Sequence, residues 1–262
     1  MTSSNSDYPA LRTRLHSVWL RHYRVYTKNL FSNCLPPFLE PLLFLAGVGL
    51  GLGKYIAGSM DGLRYLEFVG TGLLVTASMF TATFECTFGT FIRLEFGKVY
   101  DGMLAAPLTV NNLIVGEILW AGTKGFFFSW AVACVLMLCG VVPFPQALAA
   151  PLVGFLTGTL FATLSLLVTS YVKTIHHFNF FLTGVISPMF FFSGVVFPLS
   201  DLNRPLRMVA ELVPLTHCVR LVRAVCAWNF PSQLGWDLLY VLLFIAIVGA
   251  FAVKRLGKRL ID

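Results

Sequence analysis

The stretch ALAAPLVGFLTGTLFATLSLLVTSY, residues 147–171, contains no charged side chain. The hydrocarbon core of a bilayer is about 30 Å thick, so a helix needs about 20 mostly apolar residues to cross it. A helix on the surface of a soluble protein would instead carry a polar face. This stretch therefore predicts a membrane-spanning helix.

Similar apolar runs recur along the chain and bring the number of predicted spans to six. The other five lie at about residues 33–53, 66–90, 113–139, 178–198 and 234–253. Charged residues make up only 12% of the chain, and the mean hydropathy is +0.78. A soluble domain has about 25% charged residues, so these are too few to cover a solvated surface. We predict an all-α integral membrane protein with one membrane domain, residues 33–259.

Residues 1–32 precede this domain and predict a short polar tail followed by an amphipathic basic helix. Apolar residues recur at helical spacing at Leu11, Leu15, Val18, Trp19, Tyr23 and Tyr26. Basic residues lie among them at Arg12, Arg14, Arg21, Arg24 and Lys28. The pattern is typical of a helix lying in the membrane interface. An ordinary basic flank of the first span is the alternative.

The basic residues lie mostly at the ends of the apolar runs, where they orient the protein and meet anionic lipid. The net charge of +7 therefore does not indicate nucleic-acid binding. With both termini in the cytoplasm, twelve Lys and Arg residues fall on inner segments and six on outer ones. This excess predicts that orientation.

The outer segment at residues 199–233 does not fit the charge rule well. Its arginines alternate with apolar residues at helical spacing, and Glu211 and Pro214 make a seventh span improbable by composition. We expect re-entrant helices that dip into the outer leaflet, or helices lying on the outer surface. The arginines would then extend toward the lipid headgroups. They are Arg204, Arg207, Arg220 and Arg223.

Motifs for catalysis and nucleotide binding are absent from the sequence. GVGLGLGK at residues 47–54 is the nearest approach to a P-loop, but it lacks the required GxxxxGK[ST] order. There is no HExxH zinc helix and no GxSxG nucleophile elbow. We expect a chain that is not an enzyme, with no catalytic residue, no metal site and no bound cofactor.

Two glycine pairs have the GxxxG spacing, Gly49 with Gly53 and Gly154 with Gly158. Small residues at this spacing let membrane helices approach closely. Close packing is the predicted role, and a hinge is the alternative.

Among the ionisable residues within predicted spans, we single out Glu40, Glu85, Glu117 and Lys124. Such residues are costly in a membrane and are candidates for function. Glu117 and Lys124 lie two helical turns apart on one face, too far for direct contact but close enough to share a polar cavity. The set predicts a transport pathway or polar cavity. The alternative is that the three glutamates lie near the cytoplasmic interface, where water reaches them.

The segment at residues 91–108 lies between the second and third predicted spans, on the cytoplasmic side. It carries Arg93, Glu95, Lys98 and Asp101 on a short helix-like stretch. Both signs of charge on a short amphipathic helix are what docking to a soluble partner requires. A solvated loop would carry the same residues.

The order of these features resembles the ABC-2 type transporter permeases, in particular the nodulation protein J family. The resemblance runs from about residue 10 to the C-terminus. It depends on PPFLEPLLFLAGVGLGLG (36–53), TATFE (81–85), GEILWAGTK (116–124) and SGVVFPLSDLNRPL…VPLTHCVRLVRA (193–224). The last of these motifs is fairly specific for ABC-2 permeases.

The resemblance implies a homodimer completed by two copies of a NodI-like ABC ATPase subunit, which binds the ATP and Mg²⁺. It places the coupling helix near residues 91–106 and re-entrant outer helices at 199–233. The expected cargo is amphiphilic, such as a lipo-oligosaccharide nodulation factor or a related glycan or lipid, exported across the cell inner membrane. Alternatives are a drug or antibiotic efflux permease, an ion-coupled carrier and an intramembrane transferase.

Overall fold

The computed structural model describes residues 9–47, 51, 60 and 62–261, and these form helices without a β-strand among them. The helices are α1 (Leu11–Lys28), α2 (Leu30–Gly47), α3 (Tyr65–Phe96), α4 (Val99–Leu104), α5 (Val110–Leu138), α6 (Gln146–Thr169), α7 (Ile175–Phe192), α8 (Arg204–Leu212), α9 (Pro214–Ala227) and α10 (Gln233–Ile261). By length and composition, α2, α3, α5, α6, α7 and α10 can cross a membrane. The all-α prediction and the six spans are confirmed.

The observed helices depart from the predicted spans mainly at the ends. The helix α7 ends at Phe192, six residues early, because Gly194 adopts a left-handed φ of +81° that turns the chain. The helix α10 continues eight residues beyond the predicted end because Leu256 and Gly257 are buried. The last six residues of the first predicted span, 48–53, fall largely outside the described part of the chain.

At the centre of the fold, α5 packs against α6 and α3. A Cβ placed on Gly125 of α5 would lie 2.8 Å from the carbonyl oxygen of Gly154 and 3.0 Å from the Cα of Gly158. The predicted close packing at Gly154 and Gly158 is confirmed. The pair Gly49 and Gly53 lies outside the described residues.

Gly125→Ala should destabilise the protein, because α5 and α6 would have to separate to admit the methyl group. Overpacking of this kind costs about 1–3 kcal/mol, and we expect a lower melting temperature in detergent. Gly184→Ala is the matched control, since a Cβ there meets nothing within 4 Å. Equal melting temperatures for the two variants would contradict a tight contact between α5 and α6 at Gly125.

The predicted amphipathic segment is a helix, α1, and its apolar face packs on α5. Val18 is fully buried, and a Cβ on Gly116 would lie 2.5 Å from its Cγ1. The indole Nε1 of Trp19 donates a hydrogen bond to Thr123 Oγ1 at 3.0 Å. The helix α1 is therefore part of the packed domain, and its place in the membrane interface stays a prediction.

The segment at residues 199–233 forms two helices of different character. Arg204 and Arg207 on α8 are exposed, whereas α9 packs against α3, α6 and α10. Arg223 on α9 points inward and donates hydrogen bonds to the carbonyls of Phe68 and Gly194 at 3.1 and 2.7 Å. The expectation that it extends toward lipid headgroups was wrong, because these buried carbonyls supply its partners.

Candidate functional site: an ionic network below a membrane groove

A buried ionic network begins where α3 changes its winding. The helix widens into a π-helix from Glu85 to Gly89 and again from Ile92 to Phe96. Such segments are frequent at functional sites. Here they carry Glu85 and Arg93 on one continuous helix, and Arg93 Nη1 donates to Glu85 Oε1 at 2.7 Å.

Arg93 also joins α3 to α5. Its Nη2 donates to Glu117 Oε2 at 2.8 Å, so a single guanidinium bridges two carboxylates. On the far side of Glu85, Lys124 Nζ donates to the second carboxylate oxygen at 2.8 Å. The four charged groups therefore alternate in sign along Glu117, Arg93, Glu85 and Lys124.

Two further helices reach Glu117. The hydroxyl of Tyr100, from α4, donates to Glu117 Oε1 at 2.8 Å. Burial raises the pKa of Tyr100 above its usual range, so the hydroxyl keeps the proton that it donates. From α1, His22 Nε2 lies 2.9 Å from the same oxygen. These six side chains, the inner ionic network, are His22, Glu85, Arg93, Tyr100, Glu117 and Lys124.

Charge balance explains why such a cluster is tolerated in a membrane protein. Glu117 is only 1% exposed, and an isolated carboxylate there would be strongly penalised. The two carboxylates of Glu85 and Glu117 face the guanidinium of Arg93 and the ammonium of Lys124 at hydrogen-bond distance, so these four charges balance. His22, Glu85 and Glu117 are close enough to share a metal ion. Arg93 and Lys124 already supply the positive charge there, so the site does not suit a cation.

Glu85 and Lys124 also form the polar floor of a groove of about 660 Å³ between α2, α3, α5 and α7. Glu40 lies on its wall, and the rest of the lining is largely apolar and rich in phenylalanine. The aromatic members are Phe44, Phe80, Phe84, Phe128 and Phe190. A groove with a charged floor and phenyl walls can hold a molecule that is polar at one end and apolar at the other.

Three of the four predicted pathway residues therefore lie together. Glu40, Glu85 and Lys124 line the groove, and Glu117 lies behind it in the inner ionic network. The groove brings Glu40, Glu85 and Lys124 together, and the role of these residues as a transport pathway or polar cavity stays a prediction.

The four predicted docking residues separate into two groups. Lys98 and Asp101 are exposed, and Glu95 is half-exposed with an ion pair to Arg259 at 2.7 Å. Arg93 lies inside the inner ionic network, so the structure does not place it on a docking surface. The π-helical windings explain this correction, because they extend α3 past the predicted end of the span and turn Arg93 inward.

A second ionic cluster joins α8, α9 and α10, and it includes Arg220. This guanidinium donates two hydrogen bonds to Glu211, at 2.9 and 2.8 Å, and one to Asp237 at 2.8 Å. His217 Nδ1 lies 2.6 Å from Asp237, and its ring stacks on Tyr240. The hydrogen bonds from Arg220 lower the pKa of Glu211. Arg220 therefore holds three helices together instead of extending toward the lipid headgroups, which corrects the prediction.

Sequence reasoning missed the histidines and Asp237, although signals existed. His22 falls four residues after Val18 and four before Tyr26, on the face that packs inward. Asp237 lies inside the last span, where a carboxylate is a candidate by the same rule that selected Glu85. His217 gave no comparable signal.

The amino-acid sequence of the chain is similar to those of known membrane transport proteins. The model of the ABC-2 type transporter family matches residues 13–227. Nodulation protein J of Rhizobium meliloti (strain 1021) is 32% identical over 90% of this chain and 87% of its own. Nodulation protein J of Sinorhizobium fredii is 34% identical over 94% of both chains. The inner membrane transport permease YadH of Escherichia coli (strain K12) is 24% identical over 78% of this chain and 79% of its own.

Proposed function

Because the chain belongs to the ABC-2 type transporter family, we propose that it is the non-catalytic, membrane-spanning subunit of an ABC exporter. A separate ATPase subunit binds ATP and Mg²⁺ and supplies the energy. The observation that carries this proposal is the groove with its Glu85–Lys124 floor. It offers a polar and an apolar surface to one molecule, while the sequence has no P-loop.

The proposed cargo is an amphiphile, a lipo-oligosaccharide nodulation factor or a related glycan or lipid. Two observations support it. Several similar proteins are named nodulation protein J, and phenyl rings in the groove suit acyl chains. Efflux of a drug or antibiotic is the second candidate, since such molecules are amphiphilic too.

The proposed assembly is a homodimer of this permease with two copies of a NodI-like ATPase. Glu95, Lys98 and Asp101 form an exposed surface of mixed charge at α4 and the adjoining end of α3, which we call the docking surface. Arg259 of α10 donates to Glu95 and to the carbonyl of Thr169, so the ends of α3, α6 and α10 meet near it. A partner bound there would contact the ends of three spans.

A membrane-impermeant maleimide tests the proposed orientation, an inner-membrane protein with cytoplasmic termini. Cys139 is exposed at the end of α5, on the outer side in this topology. Cys218 and Cys226 are buried, and burial raises the pKa of both thiols to about 12. We expect Cys139 to react from outside while Cys218 and Cys226 react only after denaturation. Labelling of Cys139 solely after membrane disruption would reverse the orientation, and Cys139→Ser is the control.

Reconstitution tests the function itself. In proteoliposomes that contain this chain and its ATPase, a fluorescent lipo-oligosaccharide should cross only with ATP. Leu73→Trp places an indole in the groove and should reduce transport at least about tenfold. Leu152→Trp on the exposed face of α6 is the matched control. Transport by the chain alone under an ion gradient would favour the carrier, and equal transport by both variants would place the pathway elsewhere.

A further inference from the structure

A second groove, of about 690 Å³, lies between α5, α6 and α10 and does not share residues with the first. From Ile245 to Lys258 its lining extends for about 20 Å along α10, at a rise of 1.5 Å per residue. One leaflet of the hydrocarbon core is about 15 Å thick. The groove is therefore long enough to hold the acyl chain of a lipid from one leaflet.

Most of this α5–α10 groove is apolar. Ile118, Ala246 and Val253 belong to its walls, and Gly249 and Gly257 leave it without side chains at two points. Only 17% of the apolar window of α10 is buried in the protein. The outer face of the helix therefore lies against hydrocarbon, and hydrocarbon rather than water fills an apolar groove on it.

The end of the groove near the C-terminus of α10 is polar and positively charged. Lys254 and Lys258 lie four residues apart, so they share one face of α10, and both are exposed. Asn111, from the first turn of α5, lines the same end. The nearby carboxylate of Glu95 is paired with Arg259. Two ammonium groups and an amide at the mouth of an apolar groove complement a phosphodiester that carries acyl chains.

We infer that the α5–α10 groove binds an anionic phospholipid, with its headgroup phosphate at Lys254 and Lys258 and an acyl chain along Gly249 and Ala246. Basic pockets between membrane helices bind such headgroups. With the C-terminus in the cytoplasm, the lipid belongs to the inner leaflet. The inference does not depend on the cargo or on the ATPase.

Native mass spectrometry of the purified chain tests this site. The chain is incubated with equal amounts of phosphatidylglycerol and phosphatidylcholine that carry the same acyl chains. We expect phosphatidylglycerol to be retained, and Lys254→Gln/Lys258→Gln to weaken its binding on the order of 30-fold, from about fivefold per lysine. Lys173→Gln/Arg255→Gln removes the same charge outside the groove and should retain the lipid.

A second variant addresses the acyl chain. Ala246→Phe/Ala250→Phe fills the groove and keeps both lysines, and it should also lose the lipid. Glycerol 3-phosphate, which carries an anionic phosphate without acyl chains, should not compete. Equal retention by the two charge variants, or full competition by glycerol 3-phosphate, would overturn the inference. Either result leaves the proposed export function standing, since no transport is measured.

Discussion

Arg93→Met should destabilise the protein by about 3–5 kcal/mol, the usual effect of removing one partner from a buried ion pair. Arg93 is 16% exposed and bridges Glu85 and Glu117 at 2.7 and 2.8 Å. Methionine keeps much of the side-chain volume but leaves Glu117 without its guanidinium. We expect the melting temperature in detergent to fall by roughly 10 °C.

A matched control and a rescue make this result specific. Arg207→Met removes the same charge from the exposed face of α8 and should change the melting temperature little. Arg93→Met/Glu117→Gln removes one orphaned carboxylate as well, so it should recover part of the loss. If Arg93→Met and Arg207→Met had the same melting temperature, the inner ionic network would not stabilise the fold.

Arg93 also shows where the sequence stops being informative. Apolar length alone gave the six spans, because the thickness of the bilayer fixes it. The same rule ended the second span near residue 90, since Arg93, Glu95 and Lys98 follow closely. The π-helical windings of α3 carry Arg93 inward to a carboxylate 24 residues away in the chain. No local pattern specifies that pairing.

The partners of the arginines on α8 and α9 could not be predicted from the local sequence either. Their helical spacing predicted amphipathic helices in this segment, but it did not predict the direction of each side chain. Arg223 finds the carbonyl of Phe68, 155 residues away, and Arg220 finds Asp237 in the last span. Since the partners lie on other helices, only the packing of those helices decides which arginines turn inward.

The groove was partly predictable. Glu85 and Lys124 were selected one by one as ionisable groups within spans, and a shared polar cavity was expected. Their direct contact at 2.8 Å was not, because they lie 39 residues apart on α3 and α5. The packing of α3 on α5 sets that contact, and it includes a hydrogen bond from the hydroxyl of Ser78 to the carbonyl of Gly125.

Asp101→Lys should reduce binding of the ATPase subunit about 100-fold while the permease still folds. Asp101 is exposed on α4, and like charges facing each other in an interface cost several kcal/mol. Glu95→Lys is harder to interpret, because it also breaks the ion pair between Glu95 and Arg259 within the permease. Asp201→Lys, exposed on the opposite side in the proposed topology, is the matched control. Co-purification of the ATPase with tagged permease measures the effect, and undiminished co-purification of Asp101→Lys would place docking elsewhere.

A variant of the neighbouring residue, Tyr100, distinguishes binding of the ATPase from the coupling of that ATPase to transport. Tyr100 lies on the same short helix but faces inward, 1% exposed, where its hydroxyl donates to Glu117. Tyr100→Phe removes that hydrogen bond, worth about 1.5–3 kcal/mol to a charged acceptor, and leaves the docking surface untouched. We expect the ATPase to bind Tyr100→Phe normally and ATP-driven transport to fall, since the hydroxyl joins α4 to the network below the groove. Loss of binding in both variants would instead mean that Tyr100 only keeps α4 folded.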